Sequence, residues 1–351
     1  MKSDIDFIQG FTLNNIPEIS VIVCHHVGEL VHNFIKSILL SEKVSFEIIL
    51  ISSDKNFKFL QEDNRLFKFH DSRLPASKRN YGASLAKGKY LAFFDDDTVI
   101  NPSCLYNFKQ SLESHQYSNT KMVYGKLLNM EYQNRFDEAG GFITWSGFIW
   151  SRAGQNDLDK GQYDHYEYIL SGKSASCMVE KKTFNSVDGF DEGFGILGEE
   201  TDLSWRIWLK GYKVLWCPDS VGLHAFNTKF KPVNQYYNSE RVNFNGSRNY
   251  ITMLIKNLGD SHLWIIPIHI LIWFIVGLVM LITGKMKQGW NIWRGIGYVF
   301  ANIIIILKKR IVIQTTRKIN EKELWKTIHS IPPRSYYWIR ISRYLRIGLH
   351  G

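Results

Sequence analysis

"KYLAFFDDDTVINP" runs from Lys89 to Pro102. Five apolar or aromatic residues, Tyr90 to Phe94, lead directly into Asp95, Asp96 and Asp97. A short apolar run that is continuous rather than alternating predicts a strand buried on both faces. The aspartates then lie just past its carboxyl end, the edge at which open α/β sheets bind ligands. Three adjacent like charges repel, and carboxylate oxygens are hard ligands suited to Mg²⁺ or Mn²⁺. A divalent cation would relieve the repulsion. A solvated acidic turn explains an isolated D-D-D equally well, so the rest of the chain must decide.

Upstream, "ISVIVC" (Ile19–Cys24) and "FEIILIS" (Phe46–Ser52) read as further buried strands. Between them, "LVHNFIKSILLSEK" carries apolar residues at helical spacing. "RLPASKRNYGASLAKG" predicts a turn and a helix, with Gly88 as its C-cap. Strand, helix, strand, helix, strand gives βαβ units and a parallel sheet. Downstream, "CLYNFKQSLESH" predicts a helix and "KMVYGKLLNMEY" a strand. The Gly/Trp-rich stretch 139–157 has no clear period and reads as long functional loops. A strand at 175–180, a short helix at 181–186, a Gly-rich loop and a helix at 199–210 follow. Gly211 closes that helix, and a strand spans Lys213 to Cys217. Residues 228–258 read as a helical connector.

The 351 residues suggest about two domains, and the composition is that of a folded protein. The four cysteines (Cys24, Cys104, Cys177, Cys217) are scattered, without a C-x-x-C pair, and read as packed thiols in a reducing compartment. The first 15 residues contain acids and no apolar h-region, so no signal peptide is expected there.

The net charge of +10 is unevenly placed. From Lys285 onward there are 14 Lys/Arg and two acids, an excess of +12. Just before lies "LWIIPIHILIWFIVGLVMLIT", Leu263–Thr283, 21 residues without a charge and long enough to span a bilayer. A second run, Gly295–Leu307, has 13 residues and is too short to cross alone. Trp290, Trp293, Trp325 and Trp338 are interleaved with the cations. This pattern predicts a segment lying in the interface of an anionic membrane, rather than a clean span or a nucleic-acid surface. The expected partition is a lead at 1–17, a catalytic domain at 18–228, the connector at 229–258 and a basic, apolar membrane-associated region at 259–351. Within the catalytic domain, 18–125 is the nucleotide half and 126–228 the acceptor half.

Three features stand in order: the acids at 95–97, the cluster "GEETD" (Glu199, Glu200, Asp202) opening a helix, and His224 after a strand. Each alone is weak. Acids suit a helix N-terminus in any case, and Asp202 with Arg206 is an ordinary i, i+4 pair. Together they supply what group transfer from a nucleotide needs: hard cation ligands and a carboxylate base.

At this point the chain resembles the inverting family 2 glycosyltransferases of the GT-A fold, from about Glu18 to Leu258. The carriers are "ISVIV", "KRNYGASLAKGKYLAFFDDDT", the block from Ser171 to Val214, and "VGLH". The closest look is to bacterial rhamnosyl- and galactofuranosyltransferases of surface glycans. The resemblance implies an α/β, Rossmann-like, mostly parallel sheet. It places Asp95 at the ribose and diphosphate of a nucleotide-sugar, and Asp97, Asp95 and His224 at a Mg²⁺ or Mn²⁺ ion. Arg79 and Asn80 would line the nucleotide pocket. Glu200, or else Glu199, would be the base. Asp191 and Glu192 of "GFDE" would lead into the acceptor site, along with Asp202 and Trp145. Two departures stand out. The family usually has an aspartate directly after the second strand; here Ser52 stands there and Asp54 two residues on, leaving these two as candidates at the base ring. The usual E-D pair is Glu199-Glu200, one methylene longer.

The expected activity is transfer of a sugar from a nucleotide-sugar to a glycan or lipid-linked acceptor, at the cytoplasmic face of the membrane. A sugar nucleotidyltransferase is disfavoured by "CHHVGE" after the first strand, where a Gly-rich loop would stand. A catalytically inactive scaffold of the same fold is disfavoured by retention of all three acid clusters and His224.

Overall fold

The computed structural model describes residues 16–26, 28–154, 157–226, 240–333 and 336. The first half alternates as expected: β1 (Ile19–His25), α1 (Leu30–Leu39), β2 (Phe46–Ser52), β3 (Leu66–His70), α2 (Pro75–Leu85), β4 (Tyr90–Asp95), β5 (Thr98–Ile100) and α3 (Cys104–Glu113). The second half has β6 (Thr120–Asn129), β7 (Phe136–Glu138), β8 (Gly141–Ile143), β9 (Ile149–Ser151), β10 (Glu167–Tyr168) and β11 (Ser176–Glu180). It continues with α4 (Lys181–Ser186), α5 (Glu199–Leu209) and β12 (Lys213–His224). The helices α6 (Glu240–Asn257), α7 (Ile265–Ile282), α8 (Met286–Ala301), α9 (Ile303–Thr315) and α10 (Glu321–Ile328) follow.

Strands β3, β2, β1 and β4 pair in that order, all parallel. Beyond β4 the sheet turns mixed: β11 is antiparallel to β4 and β6, and β12 runs parallel to β6. The chain winds from β1 to β2 on one side and returns to β4 on the other. The carboxyl ends of β1 and β4 therefore flank the switch point, where open α/β sheets form a ligand crevice.

Alternate residues of β1 and β4 enter opposite cores, which is why both read as continuous apolar runs. Ile22, Leu91 and Phe93 join the core beneath α2 and α5. Val21, Val23, Ala92 and Phe94 join the one beneath α1 and α3. Gly88 is not the cap of α2, which closes at Ala86 with its N–H donating to Gly82 O. It serves close approach instead: a Cβ there would lie 2.6 Å from the Ser20 nitrogen of β1.

Stretch 139–157 is not wholly loop, since β8 and β9 form a hairpin there. The last strand runs to His224 rather than stopping at Cys217, with a register shift between Cys217 and Val221. Residues 227–239 of the expected connector, and Trp338 of the tail, lie outside the described residues. The second apolar run is divided between α8 and α9, which break at Asn302. Among the described residues, one helical stretch, Asp260–Ile282, is long and apolar enough to cross a membrane by length and composition, and 28% of its most apolar window is buried. All four cysteines are free thiols.

Candidate active site

The acid cluster is a turn. β4 ends at Asp95, Asp96 and Asp97 make the bend, and β5 begins at Thr98. Asp95 follows the parity of Phe93 and faces α2 and α5. There it accepts a hydrogen bond from Arg79 Nη2 at 2.9 Å, while Arg79 Nη1 donates to Glu199 Oε1 at 2.9 Å. One buried guanidinium thus ties the end of β4 to the start of α5. Burial opposes its charge, but Asp95 and Glu199 hold its pKa above the ordinary arginine value.

β12 lies antiparallel to β5 with His224 opposite Thr98. That register brings the imidazole to the turn: Nε2 lies 3.3 Å from Asp97 Oδ1 and 3.9 Å from Asp95 Oδ2. Its Nδ1 lies 2.8 Å from Asp137 Oδ2 on β7. Asp137 in turn accepts from Lys173 Nζ at 2.6 Å. Burial would lower the His224 pKa; Asp97 and Asp137 outweigh it and lift it to about 10. Burial likewise opposes ionisation of Asp137, but Lys173 and His224 bring its carboxyl down to about 2.

These groups fit a divalent cation. One ligand atom each from Asp95, Asp97 and His224 lie within 4.8 Å of one another, a convergence of two hard oxygens and one imidazole nitrogen. That donor set favours Mn²⁺ over the all-oxygen preference of Mg²⁺. With such a cation bound, Asp137 would act behind His224 as the carboxylate that fixes the ring and raises its basicity. Asp137 escaped sequence reading because it sits in a three-residue strand 87 positions from its partner. We expect Asp137→Asn to weaken Mn²⁺ binding about 10- to 100-fold, the usual cost of losing such a partner, with a folded protein by circular dichroism. Unchanged Mn²⁺ affinity would remove Asp137 from the site.

Glu199 and Glu200 are separated by their surroundings. Glu199 is buried and held by Arg79. Glu200 is half-buried, and its pKa rises to about 8 through burial first and the neighbouring Glu199 second. The loop before them is fixed from outside the sheet. Asn249 of α6 donates to Phe194 O, Ile196 O and Leu197 O at 3.1, 2.9 and 2.8 Å. Leu197 has φ +74°, a left-handed conformation costly for a branched side chain. Asn249 therefore clamps a strained approach to the two glutamates.

Other expected residues sit differently. Asn80 donates to Phe190 O and accepts from Phe190 N, both at 2.9 Å, so it secures the "GFDE" loop rather than turning toward Asp95. Ser52 is fully buried and closes its own loop, accepting from Asp54 N and donating to Asp54 O at 3.0 Å each. Asp54 is half-buried at that edge. Asp191 pairs with Lys256 at 2.5 Å and Lys309 at 2.6 Å. Asp202 has no exposed surface and meets Arg206, Lys256 and Asn257, so it offers nothing to an acceptor. Glu192 is exposed and accepts from Ser77 Oγ at 2.8 Å. Trp145 is exposed at the β8–β9 turn.

The model of the glycosyltransferase like family 2 matches residues 20–265, most of the chain and every group named in the acid–histidine cluster. The chain belongs to that family. O-antigen biosynthesis protein RfbC of Myxococcus xanthus is 27% identical over 224 residues, 58% of this chain and 17% of RfbC. Glycosyltransferase GlyG of Streptococcus pneumoniae serotype 4 is 24% identical over 222 residues, 59% of this chain and 70% of GlyG. The chain thus spans about one sixth of RfbC. A solved structure of GalNAc-T7 with UDP, GalNAc and Mn²⁺ shares the fold with a TM-score of 0.52 at 18% identity. That match covers 71% of this chain and 49% of the other. The mixed, mostly parallel sheet is the GT-A fold.

Proposed function

We propose that this family 2 glycosyltransferase moves a sugar, with inversion, from a nucleotide-sugar to a glycan or lipid-linked acceptor of cell-surface polysaccharide. The observation that carries this reading is a cation-ligand cluster at the carboxyl end of β4 and, across Arg79, two glutamates of unequal state. Glu199 is engaged by Arg79; Glu200 is the carboxylate left to act on an acceptor hydroxyl. A pKa near neutrality suits a general base. Direct displacement at the anomeric carbon needs one base and no covalent enzyme intermediate, and it inverts the configuration. A cation held by Asp95, Asp97 and His224 would stabilise charge on the departing diphosphate. RfbC by its name serves O-antigen synthesis, which supports the surface-glycan assignment.

Thermal shift with Mn²⁺ across UDP-, GDP- and dTDP-sugars tests the donor class. We expect stabilisation by one nucleotide class only in the presence of Mn²⁺. Equal shifts with and without the cation would contradict cation-assisted donor binding.

The helices support a membrane-surface location. Leu271, Phe274, Ile275, Leu278, Val279 and Ile282 form one exposed stripe on α7 at i, i+3, i+4, i+7, i+8 and i+11. Apolar surface of this extent marks an interaction face. The opposite side of α7 is docked on the catalytic domain. His269 Nδ1 lies 2.8 Å from Ser146 O, and Trp273 packs on Phe148 with ring centroids 5.7 Å apart. A perpendicular α7 would draw the β8–β9 turn into hydrocarbon along with it, which its polar backbone disfavours. Lying in the interface avoids this. Leu271→Glu with Leu278→Glu should lower vesicle flotation about tenfold or more, from lost apolar burial, without lowering the melting temperature. Undiminished flotation would exclude α7 as the contact.

A further inference from the structure

Away from the acid cluster, a cavity of about 750 Å³ opens between α9, the "GFDE" loop and the carboxyl-terminal end of α5. Its lining includes five cations (Arg206, Lys210, Lys256, Lys308, Lys309) and three carboxylates (Asp188, Asp191, Glu192). The inner charges are already matched. Lys256 bridges Asp191 and Asp202, and Lys309 pairs with Asp191. Lys210 and Lys308 make no ion pair among the described residues, and neither is fully buried. Arg206 is 7% exposed; its Nε donates to Asp202 and its Nη1 to Val187 O. Its Nη2 is buried without a hydrogen-bond partner among the described residues. A buried guanidinium N–H left unpaired is costly, and an anion oxygen in the cavity would satisfy it.

The lining also has apolar members, Leu209 of α5 and Val312 and Ile313 of α9. Val312 and Lys308 also belong to the exposed face of α9, along with Ile304, Ile305 and Ile311. The cavity rim is thus continuous with an exposed apolar face of α9, within the region 259–351 expected above to be membrane-associated. An anion with an attached apolar tail suits this mixed lining, the anion at Arg206, Lys210 and Lys308 and the tail along the exposed apolar face of α9. The end of α5 is the electronegative end of its dipole, so the side-chain cations must hold the anion.

We propose that this cavity binds the phosphodiester headgroup of an anionic membrane lipid, separate from the donor crevice at the other end of α5. The proposal rests on the interfacial reading of the helices. Dihexanoyl-phosphatidylglycerol, titrated into the full chain below its micellar concentration, should bind saturably. Dihexanoyl-phosphatidylcholine and inorganic phosphate should each bind at least about tenfold more weakly. Lys210→Gln with Lys308→Gln should weaken phosphatidylglycerol binding about tenfold or more. Lys322→Gln with Lys326→Gln, which removes as much charge from outside the cavity, should not. Equal weakening by both pairs, no weakening by either, or equal binding of inorganic phosphate would overturn the proposal. Flotation on pure phosphatidylcholine vesicles reads the apolar face alone. Retained flotation alongside a failed titration would reject the cavity and keep the interfacial reading; absence of flotation on any vesicle would reject both.

Discussion

Glu200→Gln is expected to cut kcat by roughly 10²–10⁴, the usual loss of a general base, while Mn²⁺-dependent donor binding stays near normal. Of the pair, Glu199 is the one hydrogen-bonded to Arg79. Its raised pKa has two further consequences. Activity requires the ionised form, so kcat/KM should rise with pH on an acid limb placed by a group near 8 rather than 4.5. The sign for stability is opposite. A carboxyl whose pKa is raised on folding holds its proton more tightly in the native state, so its contribution falls as pH increases from the unfolded value toward about 8. Glutamine cannot ionise, and the variant should therefore be no less stable than the parent at pH 8 and above. Steady-state kinetics with thermal melts across pH checks both signs. If Glu199→Gln loses turnover while Glu200→Gln keeps it, the roles are reversed.

Asp97→Asn should remove most turnover and nearly all metal-dependent nucleotide affinity. Asp97 is buried at the turn, 3.3 Å from His224 and hydrogen-bonded through its backbone O to Ala225 N at 3.0 Å. Asparagine preserves that main-chain bond and the side-chain volume but withdraws the charge that faces His224. The fold should survive. Mn²⁺ titration by calorimetry in the folded variant measures the loss; affinity equal to the parent would sink the assignment of Asp97 as a ligand.

Much of the sheet was readable because its central strands are buried on both faces. β1, β2 and β4 are runs of apolar residues broken only at their ends. β3, "LFKFH", was not read, since as an edge strand it is only partly buried and carries Lys68. The metal cluster was legible as residue types in sequence order: Asp95, Asp97 and His224 do converge. What local pattern could not supply was pairing over long separations. Arg79 meets Glu199 across 120 positions, and Asp137 meets His224 across 87. The same gap misplaced Asp202, whose helical pairing with Arg206 was visible but whose bond to Lys256 of α6 was not. The stretch 229–258 read only as a helical connector, yet its Asn249 holds the loop before Glu199 and its Lys256 holds Asp191 and Asp202.

The central claim concerns which bond of the donor breaks. Phosphorus NMR of the purified chain with Mn²⁺ and the donor chosen by thermal shift reads this directly. The account predicts slow release of intact nucleoside diphosphate, abolished by removing the cation and strongly reduced in Glu200→Gln. Release of nucleoside monophosphate with sugar 1-phosphate, or diphosphate release indifferent to both Glu200 and the cation, would contradict it.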